Sequence, residues 1–72
     1  MTEDVPIRGQ MIRLGQLLKL AGVIDNGSGA KDVVSSGQLT VNGEVEMRRG
    51  RQLHYGDVVV IGDHQLRVVS RG

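Results

Sequence analysis

The chain contains no cysteine, tryptophan or phenylalanine, and it has a single tyrosine. Without cysteine, neither a disulfide nor a thiolate metal site can stabilise the fold. Because aromatic side chains are almost absent, the core is expected to consist of Leu, Ile, Val, Ala and Met. With 72 residues, such a core supports one small domain and leaves little volume for an enclosed active site.

Long apolar runs are also absent. No stretch approaches the ~20 apolar residues of a membrane-spanning helix, and the acidic, polar segment 1–6 lacks the basic start and apolar run of a secretory signal. We therefore expect a cytoplasmic protein with no membrane partner.

The chain also lacks an excess of either charge. It has nine Lys and Arg and eight Asp and Glu, for a net charge of +1. Any affinity for nucleic acid therefore depends on where the cations lie.

Two helices are predicted in the first half of the chain. The first, residues 13–21, has one apolar face at helical spacing, formed by Leu14, Leu17, Leu18 and Ala21. Gly22 suits the left-handed residue that commonly follows a helix. The second helix is predicted over residues 27–36, with Asn26 as its N-cap and Gly37 as its stop.

After residue 37 the apolar period changes from helical to two, which is typical of strands. The dipeptide Asn42-Gly43 is the strongest short signal for a hairpin, and Gly62-Asp63 can form a second tight turn. The apolar positions expected to share one core are Leu14, Leu17, Leu18, Ala30, Val33, Val34, Leu39, Val41, Val58, Val60 and Val68. This order of elements predicts an α+β fold in which two short helices pack on a small antiparallel sheet.

The chain divides into a lead-in and one domain. Residues 1–10 form the lead-in, in which Val5-Pro6-Ile7 can make a short edge strand, where the missing N–H of proline is tolerated. Residues 11–72 form the single domain. No repeat, linker or low-complexity segment interrupts it.

Several short motifs follow one another in order: Leu14-Gly15-Gln16-Leu17-Leu18-Lys19, Ala30-Lys31 with Val33-Val34, Gly37, Val41-Asn42-Gly43 and Gly56-Asp57. This set spans about residues 12–69 and resembles the S4-type RNA-binding domain, whose fold is called the alpha-L motif. Segment 41–51 is especially similar to the short, stand-alone bacterial branch of that family. The resemblance implies RNA binding through the two-helix face and the following hairpin. The chain departs from the family at Gly27, where a basic residue is frequent, and at Gly15, where an aspartate is frequent.

The first candidate site is Asn26-Gly27-Ser28-Gly29, at the start of the second predicted helix. A helix N-terminus offers unpaired N–H groups and a partial positive charge to a phosphate, and glycines let an RNA backbone approach closely. Lys31 lies one turn further on and shares a helix face with Ser28. The alternative interpretation is an ordinary turn between the helices.

The second candidate site is the run that contains Arg48, Arg49 and Arg51. Guanidinium groups bind phosphates through two parallel hydrogen bonds and stack on exposed bases. The alternative is a solvated loop in which these arginines pair with Glu44 and Glu46 at the surface, an arrangement that contributes little to stability. Two further cations, Arg13 and Lys19, can extend the RNA-binding surface, or they are ordinary solvent-facing helix residues.

These observations favour a non-catalytic, monomeric protein that binds structured RNA, with ribosomal and transfer RNA both compatible. The two histidines, His54 and His64, are too isolated for a metal site or a catalytic pair, so no cofactor and no small-molecule substrate is expected. One alternative is a ubiquitin-like sulfur carrier, because such proteins share the Val-Asn-Gly hairpin and the late Gly-Asp turn. That class ends in Gly-Gly, whereas this chain ends in Arg71-Gly72. A third hypothesis is a protein-interaction adaptor that has lost RNA binding.

Overall fold

A computed structural model describes residues 2–24 and 27–72, and at positions 27, 28 and 30 it describes the helix backbone. In chain order the elements are β1 (Thr2–Ile7), β2 (Ile12–Arg13), α1 (Leu14–Leu20), α2 (Gly27–Ser35), β3 (Thr40–Val41), β4 (Glu44–Val45), β5 (Gln52–Leu53), β6 (Val58–Ile61) and β7 (His64–Ser70). Both predicted helices are confirmed to within one residue at each end. The proposed N-cap Asn26 lies outside the described residues.

Each helix is followed by a glycine with a left-handed backbone. Gly22 has φ 77° after α1, and Gly37 has φ 78° after α2. Residues with a Cβ rarely adopt this conformation, so the two glycines determine where the chain leaves each helix. Neither helix is long and apolar enough to cross a membrane, as judged over the described residues.

The strands form a five-stranded sheet of order β1-β7-β6-β3-β4, and β2 and β5 pair separately. The predicted hairpin at Asn42-Gly43 is confirmed, since both residues have positive φ, 53° and 87°, as a tight two-residue turn requires. The second turn, at Gly62-Asp63, joins β6 to β7. The α+β prediction is also confirmed, with one difference. Strand β1 runs parallel to β7, so the sheet is mixed rather than purely antiparallel.

One apolar core lies between the helices and the sheet. Its buried members are Val5, Ile7, Leu14, Leu17, Leu18, Ile24, Val34, Leu39, Val41, Leu53, Val59, Leu66 and Val68. Val33 is half-buried against this cluster, and the side chain of Ala30 lies outside the described part of the chain. Burial of each leucine stabilises the fold by roughly 1.5–3 kcal/mol, which is how a small domain without disulfides remains folded.

The prediction was wrong for one strand. Val60 was expected in the core, but it is 36% exposed, whereas Val59 is fully buried. Four apolar residues in succession carry no alternation, so sequence cannot decide which of them face inward. The hairpin register decides it, because it pairs Val59 with both Val41 and Leu66, which are themselves buried. Val58, also expected in the core, is half-buried.

Candidate nucleic-acid interface

Residues 46–51, called the arginine loop below, connect β4 to β5 and lie against the start of α1. The backbone N–H of Leu14 donates to the carbonyl of Arg51 (2.9 Å), and the N–H of Gly15 donates to the carbonyl of Arg49 (2.9 Å). The Nη1 of Arg13 donates to the carbonyl of Gly50 at 2.9 Å. The first N–H groups of a helix have no partner within the helix, so the loop satisfies them and is itself fixed in position.

Glu46 organises the arginine side chains of this loop. It is only 6% exposed, and its carboxylate accepts hydrogen bonds from Arg48 Nε (3.2 Å) and Arg51 Nη1 (3.0 Å). It also accepts the backbone N–H of Met47 at 3.0 Å. Hydrogen bonds from Arg48 and then Arg51 lower the pKa of Glu46 from 4.5 to about 2, against the opposing effect of burial. The arginines therefore do pair with a glutamate, as the alternative interpretation expected, but that glutamate is buried, not exposed at the surface.

This ion cluster keeps a net positive charge and exposed donors. One carboxylate faces two guanidinium groups, and the side chain of Arg48 is 78% exposed whereas that of Arg51 is 32% exposed. A guanidinium carries five N–H donors, so each arginine can bind Glu46 and an external anion together. Arg13, Arg48 and Arg51 line one open depression, together with Gly50 and Gln52.

A second depression joins the arginine loop to helix α2. It is lined by Lys31, Val34, Ser35, Met47 and Arg49. Within residues 2–24 and 27–72, neither Lys31 nor Arg49 makes a side-chain hydrogen bond or an ion pair. Met47, which lines the same depression, is 58% exposed. The fold therefore brings Lys31 of α2 and Arg49 of the arginine loop, which belong to different candidate sites in the sequence, to one depression.

The remaining predicted site residues divide into three groups. Gly27, Ser28 and Gly29 lie in the first turn of α2, and an added Cβ at Gly29 would contact Ile24 at 3.5 Å. Asn26 lies outside the described residues. Lys19 lines a different groove, together with Arg8 and Arg71, and so lies apart from the depression that Arg13 lines.

Two residues of this surface are not predicted from the sequence. The sequence predicts Glu46 only as a surface partner, although its position two residues before Arg48 and five before Arg51 is compatible with a shared ion cluster. Met47 was not considered, because an isolated methionine in a predicted connection carries no periodic signal. Only the fold shows that Met47 lines one depression with Lys31 and Arg49.

The motif residues Asn42 and Asp57 hold the scaffold of the surface together. The Asn42 Nδ2 donates to Asp57 Oδ1 at 3.0 Å, and the N–H of Val58 donates to Asn42 Oδ1 at 2.9 Å. Asp57 Oδ2 accepts the N–H of His54 at 2.8 Å. These contacts join the β3–β4 hairpin to the turn before β6, so this part of the motif is structural.

Comparisons with known proteins agree with this architecture. The chain is 49% identical over 61 residues to a probable ribosome maturation protein, RlbA, of Bacillus subtilis strain 168, covering 85% of this chain and 86% of that protein. It is 36% identical over 59 residues to a putative RNA-binding protein, YbcJ, of Escherichia coli K12, covering 82% and 84%.

The fold has a solved counterpart as well. The solution structure of E. coli YbcJ, described as an alpha-L motif involved in RNA binding, superposes with a TM-score of 0.66 at 32% identity and covers 96% of this chain and 86% of that one. A family model described as "S4 domain" matches residues 5–69. This match replaces the ubiquitin-like hypothesis. A ubiquitin-like fold begins with a hairpin of its first two strands, whereas β2 here pairs with β5 and not with β1. The chain belongs to the S4 domain family.

Proposed function

We propose that this protein is a non-catalytic, cytoplasmic RNA-binding protein that binds structured RNA. Ribosomal RNA is the partner that we propose first. The observation that supports this most strongly is the convergence of cations on the arginine loop. Arg13, Arg48 and Arg51 line one depression, and Lys31 and Arg49 line another. Phosphate contacts of this kind supply most of the affinity of many nucleic-acid-binding proteins.

The rigidity of the arginine loop favours binding of a shaped RNA. Hydrogen bonds to α1 hold the loop backbone, and Glu46 holds Arg48 and Arg51. Less conformational entropy is then lost when phosphates bind. Fixed cations match phosphates that are themselves fixed, as in a folded RNA, better than those of a flexible single strand.

The first turn of α2 can add to this surface. Gly27, Ser28 and Gly29 begin the helix on which Lys31 lies. Backbone N–H groups at a helix start attract phosphate, and the family's frequent basic residue is replaced by Gly27. We therefore assign the dominant phosphate contacts to Lys31 and the arginines rather than to this turn.

Ribosomal RNA is proposed as the partner because the relative from B. subtilis is named a probable ribosome maturation protein. No group of three or more His, Asp or Glu suited to a metal ion exists among the described residues, and both depressions are shallow and open. A monomer suffices for the proposed binding, because all the cations belong to one chain.

The test is the salt dependence of RNA affinity. If Arg49 neutralises a phosphate, the change Arg49→Ala reduces the slope of log affinity against log salt by about 0.7–0.9. Fluorescence anisotropy with a structured ribosomal RNA fragment measures it. Substituting Lys31, Arg48, Arg49 and Arg51 together should remove most of the slope. An unchanged slope in that variant would reject the proposed surface.

A further inference from the structure

A second surface, called the α1 groove below, lies between β1 and helix α1. Its lining includes Pro6, Arg8, Met11, Lys19, Leu20 and Arg71. It shares no lining residue with the two depressions at the arginine loop. The proposed RNA surface therefore leaves it unexplained.

The α1 groove combines exposed apolar side chains with cations. Leu20 is 56% exposed and Met11 is 39% exposed. Single exposed apolar residues are ordinary on protein surfaces, but these two share one groove with Arg8, Lys19 and Arg71. Exposed apolar surface that is rimmed by polar groups is characteristic of interaction sites.

The cations of the groove have no acidic partner in the described part of the chain. Among the residues that the structure describes, Arg8, Lys19 and Arg71 make no ion pair, and no Asp or Glu lines the groove. Its charge complements a partner that carries carboxylates or phosphates.

The exposed apolar residues Met11 and Leu20 favour a carboxylate-bearing peptide over a nucleic acid as the partner. A phosphate backbone gains nothing from contact with these two side chains. Nucleic acids bind apolar surfaces mainly by stacking bases on aromatic rings, and the single aromatic residue, Tyr55, does not line the groove. A peptide with an apolar side chain between carboxylates matches both the floor and the cations.

We propose that the α1 groove binds an acidic peptide segment of a protein partner, which inserts apolar side chains over Leu20 and Met11. The carboxylates of that segment pair with Arg8, Lys19 and Arg71. Strand β1 is one of the two edge strands of the five-stranded sheet, but Pro6 lacks the N–H that an added strand would need. Binding therefore depends on side chains more than on extension of the sheet.

The experiment uses a short fluorescein-labelled peptide in which leucines alternate with aspartates, and measures binding by anisotropy and by amide shifts in NMR. We expect shifts at the groove residues, and we expect Leu20→Ser to weaken binding about fivefold to tenfold through lost apolar burial. The matched control is Val45→Ser, because Val45 is an apolar residue that is 60% exposed and lies outside the groove. It should leave peptide binding unchanged.

The comparison ligands are oligo-aspartate and the structured RNA fragment. Oligo-aspartate should bind more weakly than the leucine-containing peptide, and RNA should shift the arginine loop and leave the groove unshifted. Three outcomes would overturn the proposal: no peptide binding, equal binding of oligo-aspartate, or RNA shifts at Lys19 and Leu20. Because the RNA and peptide titrations are separate, loss of the RNA-binding proposal would leave this one standing, and the reverse also holds.

Discussion

The buried carboxylate of Glu46 is expected to make the stability of the protein depend on pH. Arg48 and Arg51 hold the pKa of Glu46 at about 2 in the folded protein, below its ordinary value of 4.5. A carboxyl whose pKa is lowered by folding stabilises the protein above its unfolded pKa, and that contribution is lost as pH falls through the folded value. The contribution of Glu46 is therefore present above about pH 4.5 and disappears as the pH falls to about 2.

The size of the Glu46 contribution to the free energy of unfolding follows from the same pKa difference. Converted in full, that difference corresponds to about 3 kcal/mol. Because the side chain of Arg48 is 78% exposed, solvent screening reduces the contribution to about 1–2 kcal/mol. Glu46→Gln should thus lower the free energy of unfolding by about 1–2 kcal/mol at neutral pH, and the melting temperature by about 5–10 °C. Near pH 2 the variant and the wild type should be nearly equal.

Denaturant unfolding followed by circular dichroism at several pH values between about 7 and 2 measures this difference. The matched control is Glu44→Gln, since Glu44 is exposed and no ion pair to it is found in the described chain. That control should stay within about 0.5 kcal/mol of the wild type. A Glu46→Gln deficit that remains constant over the whole pH range would refute the reasoning.

Three further predictions concern other parts of the molecule. Lys31→Glu places a negative charge beside the proposed phosphate site, so RNA affinity should fall by at least about tenfold. Circular dichroism should show an intact fold, and an unchanged RNA affinity would count against that site. Removal of Arg71-Gly72 should leave RNA affinity within a few-fold but weaken peptide binding in the α1 groove, and a collapse of RNA binding would contradict the assignment of the surface. Asn42→Ala should destabilise the protein by about 1–2 kcal/mol in thermal unfolding, because it removes the hydrogen bonds to Asp57 and Val58 and strains a left-handed position. Asn42→Gly should cost less, since glycine tolerates the φ of 53°; equal losses would mean that backbone strain plays no part.

Much of the fold could be predicted from local signals. The apolar spacing in segment 13–21, Gly22 and Gly37 as helix stops, and Asn42-Gly43 as a hairpin each depend on neighbouring residues, and each is present in the structure. Which residues of β6 face the core could not be predicted, because its four consecutive apolar residues do not alternate with polar ones. The parallel pairing of β1 with β7 could not be predicted either, because the two strands lie at opposite ends of the chain.

The candidate site shows the same division. Sequence identified Lys31, Arg48, Arg49 and Arg51 as cations suited to phosphate. It could not show that Lys31 and Arg49 share one depression, nor that Lys19 lines another groove. Which cations share a depression depends on how segments that are distant in sequence pack together. The chemistry of the individual residues does not predict that packing.

The sequence by itself thus determined the fold class, the helices, the hairpin turns and the S4 resemblance, because helical spacing, glycine conformation and turn chemistry act over a few residues. The tertiary structure alone decided which valine of β6 is buried, which cations meet, and that Glu46 is buried with Arg48 and Arg51. Burial and the pKa of a carboxyl depend on every group packed around it. Here that environment lies where the arginine loop is hydrogen-bonded to the start of α1.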